Sequence, residues 1–183
     1  AATVYRELLR SDPDDSRAAE RLGALLLGQD PDALEYLRLA QTELAQRVIV
    51  VFSEATSADD PAYASTRAGE VLIQGREWAL AARQLELAVA RSPGYADAHV
   101  YLGYALDQLG YPDDAAPHLL GALGEAQDSA LVRTLLGLHY DRLGDPVAAR
   151  AQYEAAYDLA PENPAICVEI GQTWAAEGRY VAA

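Results

Sequence analysis

The chain has 183 residues, 51% of them hydrophobic, and 28 acids against 14 bases give it a net charge of −14. All fourteen bases are arginine. That balance argues against nucleic acid and anionic membrane surfaces, whose phosphates call for a basic face, and leaves neutral or cationic partners open.

Residues 1–15 predict one helix, with Ala1, Tyr5 and Leu8 on one side and Pro13 closing it. Residues 16–28, "SRAAERLGALLLG", predict a second. "DPDALEYL" then restarts the chain, and Leu34, Leu37, Leu44, Val48, Val51 and Ala55 keep helical spacing. Residues 32–55 therefore read as one overlong helix of about 36 Å, with a break near Gln46 as the competing reading. Its end, "RVIVVF", is apolar on all sides, and is either buried under neighbours or an exposed contact patch. "SEATSADDP" (53–61) predicts a loop leading to a helix start at Pro61.

From residue 62 onward the sequence repeats at a step of 34. Gly69, Gly103, Gly137 and Gly171 share one column; Leu72, Leu106, Tyr140 and Trp174 share another three residues on. Gly110, Gly144 and Gly178 follow, with Gly75 one residue early. Then come Ala81, Ala115, Ala149 and Ala183; Leu85, Leu119 and Tyr153; and Ala88, Ala122 and Ala156. The first glycine column predicts a close approach of two helices where the alanine column faces it. The second predicts left-handed helix ends. Asp145-Pro146 and Asn163-Pro164 read as N-cap and first-turn proline. The step fails between Gly23 and Gly69, which are forty-six residues apart, twelve too many.

This order of Leu-Gly, aromatic, Gly, Ala, aromatic or Leu, Ala and Pro at 34 residues resembles the tetratricopeptide repeat over about two thirds of the chain. It departs where Ser65, His99, Arg133 and Cys167 stand instead of tryptophan, which should loosen packing. The resemblance implies an all-α fold, a right-handed α-solenoid of antiparallel helix pairs. Residues 1–15 become the second helix of a truncated repeat, and 16–61 an irregular repeat with an extended second helix. Repeats at 62–95, 96–129 and 130–163 follow, with a truncated one at 164–183. Both ends then look like cuts, and with no methionine anywhere the chain reads as a piece of something longer.

Candidate chemistry is sparse. His99, His118, His139 and Cys167 share no i, i+4 spacing of the kind a helical metal site uses. The acidic clusters at 12–15, 58–60 and 113–114 precede helices, where carboxylates cap amides. No calcium loop, phosphate loop or dinucleotide fingerprint is present. Neither enzyme activity, nor a cofactor, nor a metal is expected. One Cys167 cannot make an internal disulfide. The apolar run at 48–52 is far short of the about 20 residues that cross a membrane, so direct insertion is not expected.

The resemblance also implies where function lies: a groove lined by the second, fifth, ninth and twelfth residues of each first helix. These are Tyr63, Thr66, Glu70 and Ile73; Asp97, Val100, Tyr104 and Asp107; and Leu131, Thr134, Leu138 and Asp141. Asp107 and Asp141, at equivalent places, should approach each other across it. The expected partner is a protein or peptide, apolar and flanked by basic residues, bound by a non-catalytic scaffold. The alternatives are self-assembly into a homo-oligomer through the solenoid ends and residues 47–52, or a regulatory region of a larger enzyme. A clamp for acidic chaperone tails is disfavoured by the absence of lysine. The compartment is left open, with the cytoplasm as the default. The alanine-rich, arginine-only usage suggests a GC-rich bacterial genome.

Overall fold

The computed structural model describes residues 1–56 and 60–176. Among them are eleven helices and no strand. In chain order these are α1 (Ala2–Ser11), α2 (Ser16–Leu26), α3 (Ala33–Ala40), α4 (Glu43–Thr56), α5 (Pro61–Gln74), α6 (Trp78–Arg91), α7 (Ala96–Leu109), α8 (Pro112–Glu125), α9 (Ala130–Arg142), α10 (Pro146–Leu159) and α11 (Pro164–Ala176). The chain divides into two compact units, Ala1–Tyr101 and Leu102–Ala183, the boundary falling inside α7.

In the first unit successive helices pack on one another from α1 to α6, and α2 also touches α4 and α6. Its core is built on Leu22, Leu27, Leu37, Val48, Leu72 and Leu85, all at most 1% exposed, with alanines between them. Each such leucine contributes about 1.5–3 kcal/mol by leaving water. Gln84, fully buried, donates Nε2 to the carbonyls of Ala24 (2.9 Å) and Leu27 (3.2 Å). It thereby satisfies carbonyls that the end of α2 leaves without helical partners. Arg91 performs a similar service, donating to Gly28 O (2.7 Å), Pro61 O (3.2 Å) and Ser65 Oγ (2.8 Å).

The region expected as one helix over 32–55 is two. Gln41 takes a left-handed conformation (φ 53°) and ends α3. Thr42 then caps α4, its Oγ1 accepting from Ala45 N at 3.1 Å and donating to Glu20. The chain breaks five residues before the alternative position near Gln46. Within "RVIVVF", Val48 is buried, Ile49, Val51 and Phe52 are half-buried, and Arg47 and Val50 are exposed. The run mainly packs inward.

In the second unit α8 packs on α9, α9 on α10 and α10 on α11. Leu119, Leu136, Tyr153 and Ile166 are its fully buried large side chains. The glycine columns keep both expected roles. Ideal Cβ atoms on Gly69, Gly103 and Gly137 would lie 2.7, 2.6 and 2.4 Å from Leu85, Leu119 and Tyr153 respectively. The side chain met is thus four residues beyond the alanine column, although Ala115 O also lies 3.1 Å from the Gly103 position. At Gly171 nothing among the described residues lies within 4 Å. Gly110 (φ 85°) and Gly144 (φ 75°) end their helices left-handed. Where Gly75 comes one residue early, Arg76, in the glycine column itself, takes φ 59° instead.

N-caps agree with the sequence. Asp60 accepts from Ala62 N and Tyr63 N ahead of Pro61, Asp145 from Ala148 N at 2.9 Å ahead of Pro146, and Asn163 from Ala165 N at 3.1 Å ahead of Pro164. Gly178 and Ala183 lie outside the described residues, as do Ser57, Ala58 and Asp59.

Candidate functional site

The expected lining residues are helical and divide between the two units. In the first, α5 carries Tyr63 exposed, Thr66 buried, and Glu70 and Ile73 half-buried. Thr66 Oγ1 donates to Ala62 O at 2.9 Å, and Glu70 pairs with Arg67 one turn earlier. In the part of α7 that belongs to this unit, Asp97 is exposed and Val100 is fully buried.

Around these positions tyrosines and carboxylates gather. Burial, then the charges of Glu70 and Asp97, push the Tyr101 hydroxyl up to about 12, against the opposing pull of Arg67. Tyr95 is also raised, by burial first and then by Asp97, Tyr63 and Asp60. A cleft of about 390 Å³ opens between α4 and α5, its walls including Arg47, Val50 and Val51 on one side and Arg67, Glu70 and Val71 on the other. α4 thus supplies one wall of this cleft.

In the second unit Tyr104 is half-buried and Asp107 is 2% exposed. On α9, Leu131 and Asp141 are exposed while Thr134 and Leu138 are half-buried. Asp107 and Asp141 occupy equivalent repeat places but have different surroundings. Asp107 faces the ring of His139, whose Nδ1 lies 3.0 and 2.9 Å from its two carboxylate oxygens. Asp141 accepts the Tyr153 hydroxyl at 2.7 Å. Burial raises the Tyr153 hydroxyl further, and this bond adds to the shift. Glu169, on α11, is also raised, by burial and then by the charge of Asp141.

Three of the twelve expected lining residues, Thr66, Val100 and Asp107, therefore offer almost no surface for a ligand. Each is turned into packing: Thr66 by its bond to the preceding turn, Val100 by its apolar side chain, Asp107 by its bond to His139. Sequence reasoning missed the Asp107–His139 pair because it joins different repeats, 32 residues apart. Three of the four departures from the tryptophan column have polar partners, and the fourth is exposed. Ser65 accepts from Arg91, His99 Nε2 lies 2.8 Å from Pro93 O, Arg133 donates to Gln152 at 3.2 Å, and Cys167 is exposed. Among the described residues no three His, Cys, Asp or Glu side chains gather as a metal site, and no helix is long and apolar enough to cross a membrane.

Comparison with known proteins agrees with this geometry. The tetratricopeptide repeat family pattern matches residues 66–130 and 134–183, more than half of the chain. The structure is similar to MamA (41-end) from Desulfovibrio magneticus RS-1, with TM-score 0.60 and 18% identity, over 92% of this chain and 89% of that one. It is similar to YrrB, described as a TPR protein with an unusual peptide-binding site, with TM-score 0.55 and 20% identity over 98% and 86%. It also resembles a chain of the APC/C hetero-tetramer Cut9-Hcn1, with TM-score 0.65 and 15% identity over 97% of this chain but 32% of that one. No curated protein matches at a significant level. At such identities the likeness shows the fold, an α-solenoid class of antiparallel helix pairs.

Proposed function

The chain belongs to the tetratricopeptide repeat family, and from that premise we propose a non-catalytic scaffold that binds a segment of a partner protein along its first-helix stripes. The proposed repeats are 62–95, 96–129 and 130–163, with irregular or partial ones at 1–15, 16–61 and 164–183. The partner segment carries a large apolar side chain flanked by Arg or Lys. Tyr63, Glu70, Ile73 and Asp97 are the candidate contacts within the first unit, and Tyr104, Leu131, Thr134, Leu138 and Asp141 those within the second, each unit taken by itself. Thr66, Val100 and Asp107 support those residues from beneath.

Asp141 is the observation that carries this reading. It is exposed and has no arginine partner within ion-pair distance among the described residues, and the charge of Glu169 adds to its own. Leu138 lies one turn before Asp141, and Val168 on α11 is 58% exposed. Carboxylates beside apolar bodies suit a cation with a hydrophobic neighbour, and Tyr63, Tyr95 and Tyr101 beside Glu70 and Asp97 offer the same pairing in the first unit.

The test is titration of basic-hydrophobic peptides into wild type and Asp141→Arg. The variant is expected to bind at least about tenfold more weakly, with the loss shrinking as salt is raised. Equal affinity for the two proteins removes Asp141 from the site and this reading with it.

A further inference from the structure

We propose that Asp107 and His139 form a proton-operated latch that fastens α9 to α7 in the second unit and loosens as pH rises. The geometry is that of a committed pair: both side chains are at most 4% exposed, and the imidazole Nδ1 lies within 3.0 Å of both carboxylate oxygens. Such a site holds a charge only when it is compensated, because desolvating an unpaired ion is costly. With one proton between imidazole and carboxylate, beyond the Nδ1–H that bridges them, the pair is neutral overall. Removal of that proton leaves a carboxylate facing a neutral ring, a net negative charge in a dry place.

The surrounding groups fix the direction. Arg142, on α9, acts on Asp107 with its positive field, and Tyr140 lies ring to ring with His139 at 5.7 Å. On α10 the Tyr153 hydroxyl turns to Asp141, and on α11 Glu169 faces Asp141. α8 brings exposed Asp113 and Asp114 in its first turn and a half-buried His118. Burial lifts the Asp107 carboxyl above its ordinary range, and the His139 bond and charge and then Arg142 pull it partly back. A carboxyl raised in the folded state binds its proton more tightly there than in the unfolded chain. Its contribution to stability is present in acid and is lost as pH rises through the folded value. Loss of the proton that the pair shares works in the same upward direction, because it leaves a buried carboxylate without a compensating charge.

This latch stands whether or not the groove binds a peptide, since it is read from the stability of the protein alone. The experiment is denaturant unfolding of the full chain between about pH 5.5 and 8.5. The wild-type unfolding constant is expected to rise by up to about tenfold per pH unit at its steepest, as one proton leaves. Asp107→Asn should flatten most of that rise, while His99→Gln and His118→Gln leave it in place. A parallel slope in wild type and Asp107→Asn overturns the proposal. Should Asp107→Asn fail to fold, an NMR titration of wild type decides. A His139 ring that changes protonation across the range, with a coincident loss of hydrogen-exchange protection in α9, supports the latch. A ring or a protection pattern that stays constant refutes it.

Discussion

A Cβ placed on Gly137 would stand 2.4 Å from Cε1 of Tyr153 and 2.7 Å from Cδ1, inside any tolerable contact. Tyr153 is fully buried and hydrogen-bonded to Asp141, so it has little freedom to withdraw. Gly137→Ala should therefore destabilise the protein by about 1–3 kcal/mol, the usual cost of overpacking, despite alanine's better helix propensity. Gly121 supplies the contrast: it is exposed within α8, and nothing lies within 4 Å of its Cβ position. Gly121→Ala should stabilise by about 0.5–1 kcal/mol through the entropy of the unfolded chain. Thermal unfolding of the two variants checks both signs at once, and a stabilised Gly137→Ala would contradict the packing described here. The same scale shows the limit of periodicity as a guide. It put Asp107 and Asp141 in one column, yet a histidine two places before Asp141 in its own repeat draws Asp107 inward while Asp141 stays in water.

At the scale of elements, most of the helices after residue 61 were legible, because glycine, alanine and N-cap residues recur at fixed places and each has a local cause. The caps at Asp60, Asp145 and Asn163 and the left-handed ends at Gly110 and Gly144 follow from residue chemistry alone. The break at Gln41 was not legible. Glutamine has no preference for positive φ, and the apolar spacing of 34–55 runs through it; what favours the break is Thr42, which caps α4 and reaches Glu20 on α2, a tertiary contact. Arg76 lies between these cases. It occupies the column held by Gly110 and Gly144 and adopts their left-handed conformation with φ 59°, which costs a residue with a Cβ about 1 kcal/mol. Its side chain is exposed, so replacement sacrifices little packing. Arg76→Gly should raise stability by roughly 0.5–1 kcal/mol, less whatever entropy glycine adds to the unfolded chain. Urea unfolding with an unchanged slope and a higher midpoint would bear this out, whereas a lower midpoint would mean that the turn between α5 and α6 depends on the arginine side chain.

At the scale of the whole molecule the governing quantity is charge. Twenty-eight acids and fourteen arginines leave an excess that internal pairing cannot remove. Among the described residues arginine–carboxylate pairs join Arg6 to Asp30, Arg21 to Glu77, Arg67 to Glu70, Arg83 to Glu86 and Arg150 to Glu154. Most of these are partly exposed, and exposed pairs contribute only about 0–1 kcal/mol each. The remaining carboxylates repel one another more strongly in the folded chain, where they are closer, than in the unfolded one. Salt has two opposing effects here, weakening the few attractive pairs and the many repulsive ones. The repulsive set is larger and acts over longer distances, so screening it should dominate. Raising sodium chloride from about 0.01 M to about 0.1 M shortens the screening length from roughly 30 Å to 10 Å, and the melting temperature should rise by about 2–4 °C for each kcal/mol relieved. The same change should slow association with a basic peptide, since the excess that destabilises the fold is also what would draw such a partner in. A melting temperature that falls with salt would show that the few ion pairs outweigh the surface repulsion, and the attraction invoked for a cationic partner would then lack its source.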